Sequence, residues 1–250
     1  MTPSESRIEP PAEVLDAARR WLQPVRAALG AGFKAAFVTG SALRHGFSVT
    51  HSHVNLLVLA ETLDTAALDR IAAAVPATRK PPHFDPLFMT HEQVLTSLDV
   101  FPIEWLDVLE HHVLLEGVDV FAGLEVPRAN LRLQCEHELR GKHLRLRHAY
   151  LAAPDDSKRL AETLARLASG FLTLFRTLLR LRGETPPPSP EAVVGRVAEV
   201  FGLDAKALIG AHLVRHAKER PDQAGVRARY AAFMTEIERL VGQVDALRVS

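Results

Sequence analysis

The residues of this chain best placed to do chemistry lie in one short stretch. Val38-Thr39-Gly40-Ser41 is followed, after eleven residues, by His53-Val54-Asn55-Leu56. A glycine lets the backbone approach a phosphate group closely, and Ser41 beside it adds a hydroxyl donor. His53 and Asn55 are two apart, and in a strand that spacing puts both side chains on one face. Two acids in those positions would hold a metal together; an imidazole and an amide supply no negative oxygen of the kind Mg²⁺ prefers. His45 and His51 stand near His53 in sequence. Such a group is either a set of solvated loop histidines or a site for Zn²⁺ or another transition metal. Further on, Glu104 and Asp107 lie in a strand-like segment. Glu104 alternates with Ile103 and Trp105 and so points toward a cleft or solvent, whereas Asp107 has the opposite parity and caps the strand end. His111 and His112, adjacent in sequence, would point to opposite faces and make no joint ligand pair.

The elements that must hold these residues follow from hydrophobic periodicity. Residues 11–29 carry Val14, Ala18, Leu22, Val25 and Leu29 at helical spacing, and Gly30 and Gly32 end the helix. The run from Phe33 to Val38 is too short for a helix and abuts Thr39-Gly40-Ser41, so it reads as a strand entering a tight turn. Residues 54–59 are apolar throughout, the pattern of a strand buried on both faces. Thr65 to Ala74 reads as a helix ended by Pro76, and Leu87 to Met89 as a third strand. Thr90, followed three residues later by Gln93, opens a short helix with a capping box. Phe101 to Val108 is expected to be a strand whose start Pro102 demotes to an edge or a bulge. Val113 to Leu115 is one more strand. Residues 1–125 therefore form an α+β unit with a mixed sheet and flanking helices.

From Pro127 onward the pattern is helical. Leu131, Cys135, Leu139 and Leu146 stripe one helix to Leu151. A second long helix, capped near Asp156, runs to a Gly183 C-cap. Thr185 to Pro190 holds four prolines and must be extended. Three further helices are expected: from Pro190 to Phe201, from Asp204 to about Lys218, and from Val226 to Leu247. Residues 126–250 thus read as an all-α, five-helix bundle. Arg132, Glu136 and Arg140 are spaced four apart as an ion-pair ladder, and Arg140 could alternatively reach a phosphate across a cleft.

Composition narrows the function classes. The chain has 30 basic and 30 acidic residues, so no bulk affinity for nucleic acid follows. The halves differ: residues 1–125 hold 9 basic and 16 acidic residues, a formal −7, and 126–250 hold 21 and 14, a formal +7. The single cysteine, Cys135, excludes an internal disulfide. No apolar run reaches the ~20 residues that span a bilayer, and the opening Met-Thr-Pro-Ser-Glu-Ser is not a secretory signal; a cytoplasmic protein with no membrane partner is the expectation.

The order of strand, Gly40-Ser41 turn, loop and apolar strand resembles the signature of the nucleotidyltransferase superfamily, the fold of aminoglycoside-modifying and tRNA-end-adding enzymes. The segments from Asp99 to Asp107 and from Leu131 to Arg140 resemble an uncharacterised bacterial branch of it. The resemblance implies a mixed-sheet catalytic core followed by a helical bundle. It also implies an NTP partner and Mg²⁺ as cofactor, with a nucleoside monophosphate passing to a hydroxyl acceptor. Gly40, Ser41, His53, Asn55 and Arg140 would then bind nucleotide, and Glu104 or Asp107 would act as metal ligand or base. Where the family places Asp-apolar-Asp or Asp-apolar-Glu, this chain has His53-Val54-Asn55. The two readings that follow are a transferase with a degenerate metal site and a non-catalytic nucleotide-binding or interaction module, a pseudoenzyme.

Overall fold

The computed structural model describes residues 9–43, 47–49, 52–75, 81–153, 156–213 and 222–249. The chain divides into two compact units, Met1–Pro127 and Arg128–Ser250.

In the first unit, helix α1 (Ala12–Leu29) turns Val14, Ala18, Trp21, Leu22, Val25 and Leu29 inward. Strand β1 (Phe33–Thr39) pairs antiparallel with β2 (His53–Ala60) and with β4 (His112–Gly117), while β2 pairs parallel with β3 (His83–Thr90). The sheet order is β3-β2-β1-β4, so the two most apolar strands take the two central places. Side chains alternate across them. Ala36, Val38, Val54, Leu56, Val58 and Ala60 pack on α1 and on Ile71 of α2 (Thr65–Ala74). Ala35, Phe37, Leu57 and Leu59 face the other way, against Val94 of α3 (His91–Ser97), Trp105 of α4 (Pro102–Glu110) and Phe121. The result is three layers, with the sheet in the middle.

The expected mixed sheet is present, with β1 and β2 as neighbours. The capping box at Thr90 forms: its hydroxyl accepts from the Gln93 N–H at 3.1 Å, and the Gln93 amide oxygen accepts from the Thr90 N–H at 2.8 Å. The segment expected as a strand over Phe101–Val108 is instead helix α4. Pro102 explains the difference, because at the first helical position its missing N–H costs nothing and its fixed φ is already helical. The helix then buries Ile103 and Trp105, and the Trp105 indole donates to Ser97 Oγ at 2.9 Å, tying α4 to α3. Strand β3 is longer than the Leu87–Met89 core read from sequence and runs through Pro86. Pro76, His45 and His51 lie outside the described residues.

The second unit consists, among the described residues, of α5 (Arg128–Leu151), α6 (Ser157–Ser169), α7 (Leu172–Leu181), α8 (Pro190–Val200), α9 (Ala205–Leu213) and α10 (Gln223–Asp245). The one long helix expected between residues 157 and 182 is therefore two, broken at Gly170-Phe171. The break lets both stripes bury: Leu160, Leu164 and Ala168 before it, Phe171, Leu174 and Leu178 after it. At the end of α7 the N–H of Gly183, at φ +78°, bonds to the Arg180 carbonyl and that of Glu184 to Leu179, the six-to-one closure that a left-handed glycine permits. Ser189 caps α8, with Pro190 at its first turn. Helix α10 lies along α5, and the buried Tyr230 hydroxyl donates to the Leu146 carbonyl at 2.9 Å.

Gly117 ends β4 opposite Ala35, at φ +97°, where a Cβ would stand 2.2 Å from the Lys34 carbonyl oxygen and 2.6 Å from the Ala35 Cα. Backbone cannot yield as a flexible side chain can. Gly117→Ala should therefore destabilise the protein by more than about 2 kcal/mol in urea denaturation. A loss under half a kilocalorie would show that β4 pairs differently here.

Candidate functional site

The polar end of the sheet is built by register. Thr39, last in β1, stands opposite Asn55 of β2 on one side and His112 of β4 on the other. Asn55 in turn stands beside Asp85 of β3, and His53 beside His83. Along β2 the face toward α3 and α4 changes character: His53 and Asn55 are exposed, whereas Leu57 and Leu59 are buried. At that change a cleft of about 910 Å³ opens, lined by Thr39, Gly40 and Asn55 from the central strands and by Asp85, Leu87 and Met89 from β3. Helix α3 contributes Gln93, Thr96 and Ser97, and the α4 side brings Phe101, Glu104, Trp105, Asp107 and Val108.

Gly40 leaves β1 into a short 3-10 turn, Gly40–Leu43, with φ +73°. A Cβ there would stand 2.8 Å from the Asn55 amide nitrogen, so the turn and the second strand touch at this point. The Ser41 side chain lies outside what the structure describes.

The helical form of α4 changes the relation of its two acids. Read as a strand, Glu104 and Asp107 would face opposite ways; on a helix, three apart, they share a face, and both line the cleft. Asp107 also stands 3.7 Å from the Nδ1 of the buried His111. His112 is a structural residue of the same region. Its Nδ1 lies 2.8 Å from the Val108 carbonyl and its Nε2 3.2 Å from Asp119, with the ring against Phe37 and Phe121.

Asp85 is the site residue that sequence reasoning missed. It lies on the strand next to β2, beside Asn55, and lines the cleft. Pro86 hid it, by making the start of β3 read as loop. The available signal was the carboxylate set in an otherwise apolar run, Phe84 to Met89.

These donors do not fit a two-Mg²⁺ centre. The β2 pair is an imidazole and an amide, and among the described residues no three His, Cys, Asp or Glu side chains gather closely enough to hold one ion. Mg²⁺ requires near-octahedral oxygen ligation and exchanges it for nitrogen reluctantly.

No protein-family model matches the chain, and no curated protein matches it in sequence. A solved structure does match in three dimensions: a spectinomycin adenyltransferase from Enterococcus faecialis, determined with ATP and spectinomycin. The likeness has a TM-score of 0.52 at 13% identity and covers 90% of this chain and 98% of that one. The chain shares the fold of that adenyltransferase. At this identity the likeness speaks to architecture alone, and it takes in both the sheet unit and the helices after it. The cleft described above is the candidate site, because Gly40, Asn55 and Asp85 meet there. Arg140, in the helical unit, is engaged locally. Its Nε bonds to Glu136 at 2.7 Å and its Nη2 stands 3.3 Å from Asp245, while Arg132 holds the other Glu136 oxygen at 2.9 Å. No described helix is long and apolar enough to cross a membrane.

Two predictions follow from this geometry. Gly40→Ala should cost about 1–2 kcal/mol, the usual penalty for a side chain at left-handed φ. Most of that cost should persist in an Asn55→Ala background, because the amide can swing aside while the backbone cannot; full rescue by Asn55→Ala would show that the contact, not the φ, sets the cost. In the helical unit, hydrogen bonds from Arg140 and then Arg132 hold the Glu136 carboxyl below the usual glutamate range. A depressed folded value means the stabilisation is present above the unfolded carboxyl's pKa of about 4.3 and is lost as pH falls through the lower folded value. Glu136→Gln should therefore differ most from the parent near pH 7 and converge with it in urea midpoints as pH falls through the lowered folded value. A pH-independent gap would sink this assignment.

Proposed function

We propose that the first unit binds a nucleoside triphosphate at the Gly40 turn and transfers nucleotide very slowly or not at all. The observation that carries the reading is the row His53 and Asn55, exposed on the face of β2 that continues into the cleft, where a nucleotidyltransferase of the usual kind needs two acids. The Gly40 turn supports binding, since a glycine at left-handed φ brings backbone close to a phosphate. The structural likeness to an enzyme solved with ATP supports an NTP as the ligand. Asp85, Glu104 and Asp107 remain as carboxylates of the cleft; they are not gathered closely enough to hold an ion themselves, so a cation there depends on phosphate oxygens for most of its shell. A second cation, which two-metal transfer uses to activate the attacking hydroxyl, has no acidic support on β2. In this reading residues 1–125 are the nucleotide unit and residues 126–250 its helical companion.

The test is a calorimetric titration of the full chain with each NTP, with and without Mg²⁺ and Mn²⁺, alongside an assay for pyrophosphate release. The expected outcome is weak nucleotide binding, reduced by Gly40→Ala, without turnover. The double substitution His53→Asp with Asn55→Asp should tighten Mg²⁺ binding in the presence of NTP by at least about tenfold, ~1.4 kcal/mol. Robust Mg²⁺-dependent transfer by the unmodified chain, lost in Gly40→Ala, would overturn the proposal. Absence of any nucleotide binding would favour an interaction module that keeps only the fold.

A further inference from the structure

The misfit to Mg²⁺ has a counterpart one row away from Asn55. His53 opens β2 and His83 opens β3, and the two are register partners on parallel strands, so both side chains leave the same face of the sheet. Their ring centroids are 5.9 Å apart with an interplanar angle of 40°. An imidazole nitrogen sits about 2.0–2.1 Å from zinc and the ring centre about 1 Å beyond it, so two rings on one ion have centroids roughly 5–6.5 Å apart. The observed spacing falls in that range. His53 is exposed and His83 half-buried, so an ion from solution can reach the pair. Two neutral imidazoles suit Zn²⁺, Co²⁺, Ni²⁺ or Cu²⁺ and are poor ligands for Mg²⁺.

We propose that His53 and His83 form a two-imidazole site for a borderline divalent cation of the zinc class, at the edge of the cleft. Replacing the first acid of the β2 pair by histidine has then exchanged one metal preference for another. Among the described residues no third His, Cys, Asp or Glu is gathered with the pair. Asp85 lies two residues beyond His83 on the same face. The proposal goes beyond nucleotide binding and does not depend on it, because the two imidazoles need no phosphate to meet the ion.

The experiment uses the untagged full chain and zinc alone, without nucleotide. Calorimetry with Zn²⁺ and the visible absorption of added Co²⁺ should show one ion per chain, with no comparable binding of Mg²⁺. Losing even an outer-shell partner of a metal site costs about 10- to 100-fold in affinity, so His53→Ala and His83→Ala should each weaken zinc binding at least tenfold. His53→Gln and His83→Gln, which keep a polar side chain of similar length, should do the same with an unchanged thermal melt, separating ligand loss from misfolding. His148→Ala, at an exposed histidine of α5, should leave the affinity unchanged. No zinc binding, binding that survives both substitutions, or binding that depends on only one of the two histidines would each overturn the proposal. If nucleotide binding fails while zinc binds through this pair, the proposed function falls and this inference stands.

Discussion

The antiparallel pairing of β1 with β2 is the constraint on which the first unit depends. Both strands are apolar on both faces, so neither can move by one residue without exchanging its two rows of side chains between the two hydrophobic layers. That fixed register sets Thr39 opposite Asn55, brings the Gly40 turn against the Asn55 amide, and places His53 and Asn55 on the face that opens into the cleft. Strand β3 inherits its position from β2, and with it come Asp85 and His83. Chemistry at the sheet's polar end is thus set by packing at its apolar end, several residues away along the same strands.

Elements whose periodicity had one interpretation were legible in the sequence. α1 showed its stripe, β1 and β2 their apolar runs, α3 its capping box and α7 its glycine end. Two of the failures share a cause, a proline that sequence patterns treat as a breaker but that the fold uses; the split of the long helix at Gly170-Phe171 involves no proline. Pro102 starts α4 rather than weakening a strand, and Pro86 sits within β3 rather than before it. Each of these two errors moved a carboxylate that lines the cleft. Glu104 and Asp107 were given opposite faces when a helix gives them one, and Asp85 was passed over because its strand was read too short. The row His53 and Asn55 was legible because its meaning depends only on two residues of a strand. The neighbour of that row was not, because cross-strand register between segments thirty residues apart is decided by the tertiary fold.

The second unit handles its charge in a way composition did not reveal. Several of its arginines are held in ion pairs, Arg132 and Arg140 on Glu136, Arg147 on Glu238, Arg196 on Glu184 and Glu199, and Arg239 on Glu236, while the formal excess of +7 is unchanged by pairing within the unit. Two of these join segments apart in sequence, Arg147 of α5 to Glu238 of α10 and Arg196 of α8 to Glu184 in its proline-rich approach. Exposed pairs of this kind contribute little each to stability. Their geometric effect is larger, because bidentate guanidinium contacts such as Arg196 to Glu184 tolerate few orientations.

Pro86 has a further effect in a different setting, that of many copies at high concentration. As the outermost strand beside β2, β3 presents on its far side a row of backbone groups suited to zipping onto another chain. Proline has no N–H to offer there, and within a sheet it is tolerated where its nitrogen faces away from the neighbouring strand. The ring therefore interrupts that row midway along its eight residues, and a second copy docking edge to edge would find the ladder broken. The same residue that concealed Asp85 from a reading of the sequence gives this apolar sheet a guard against growing into a fibril.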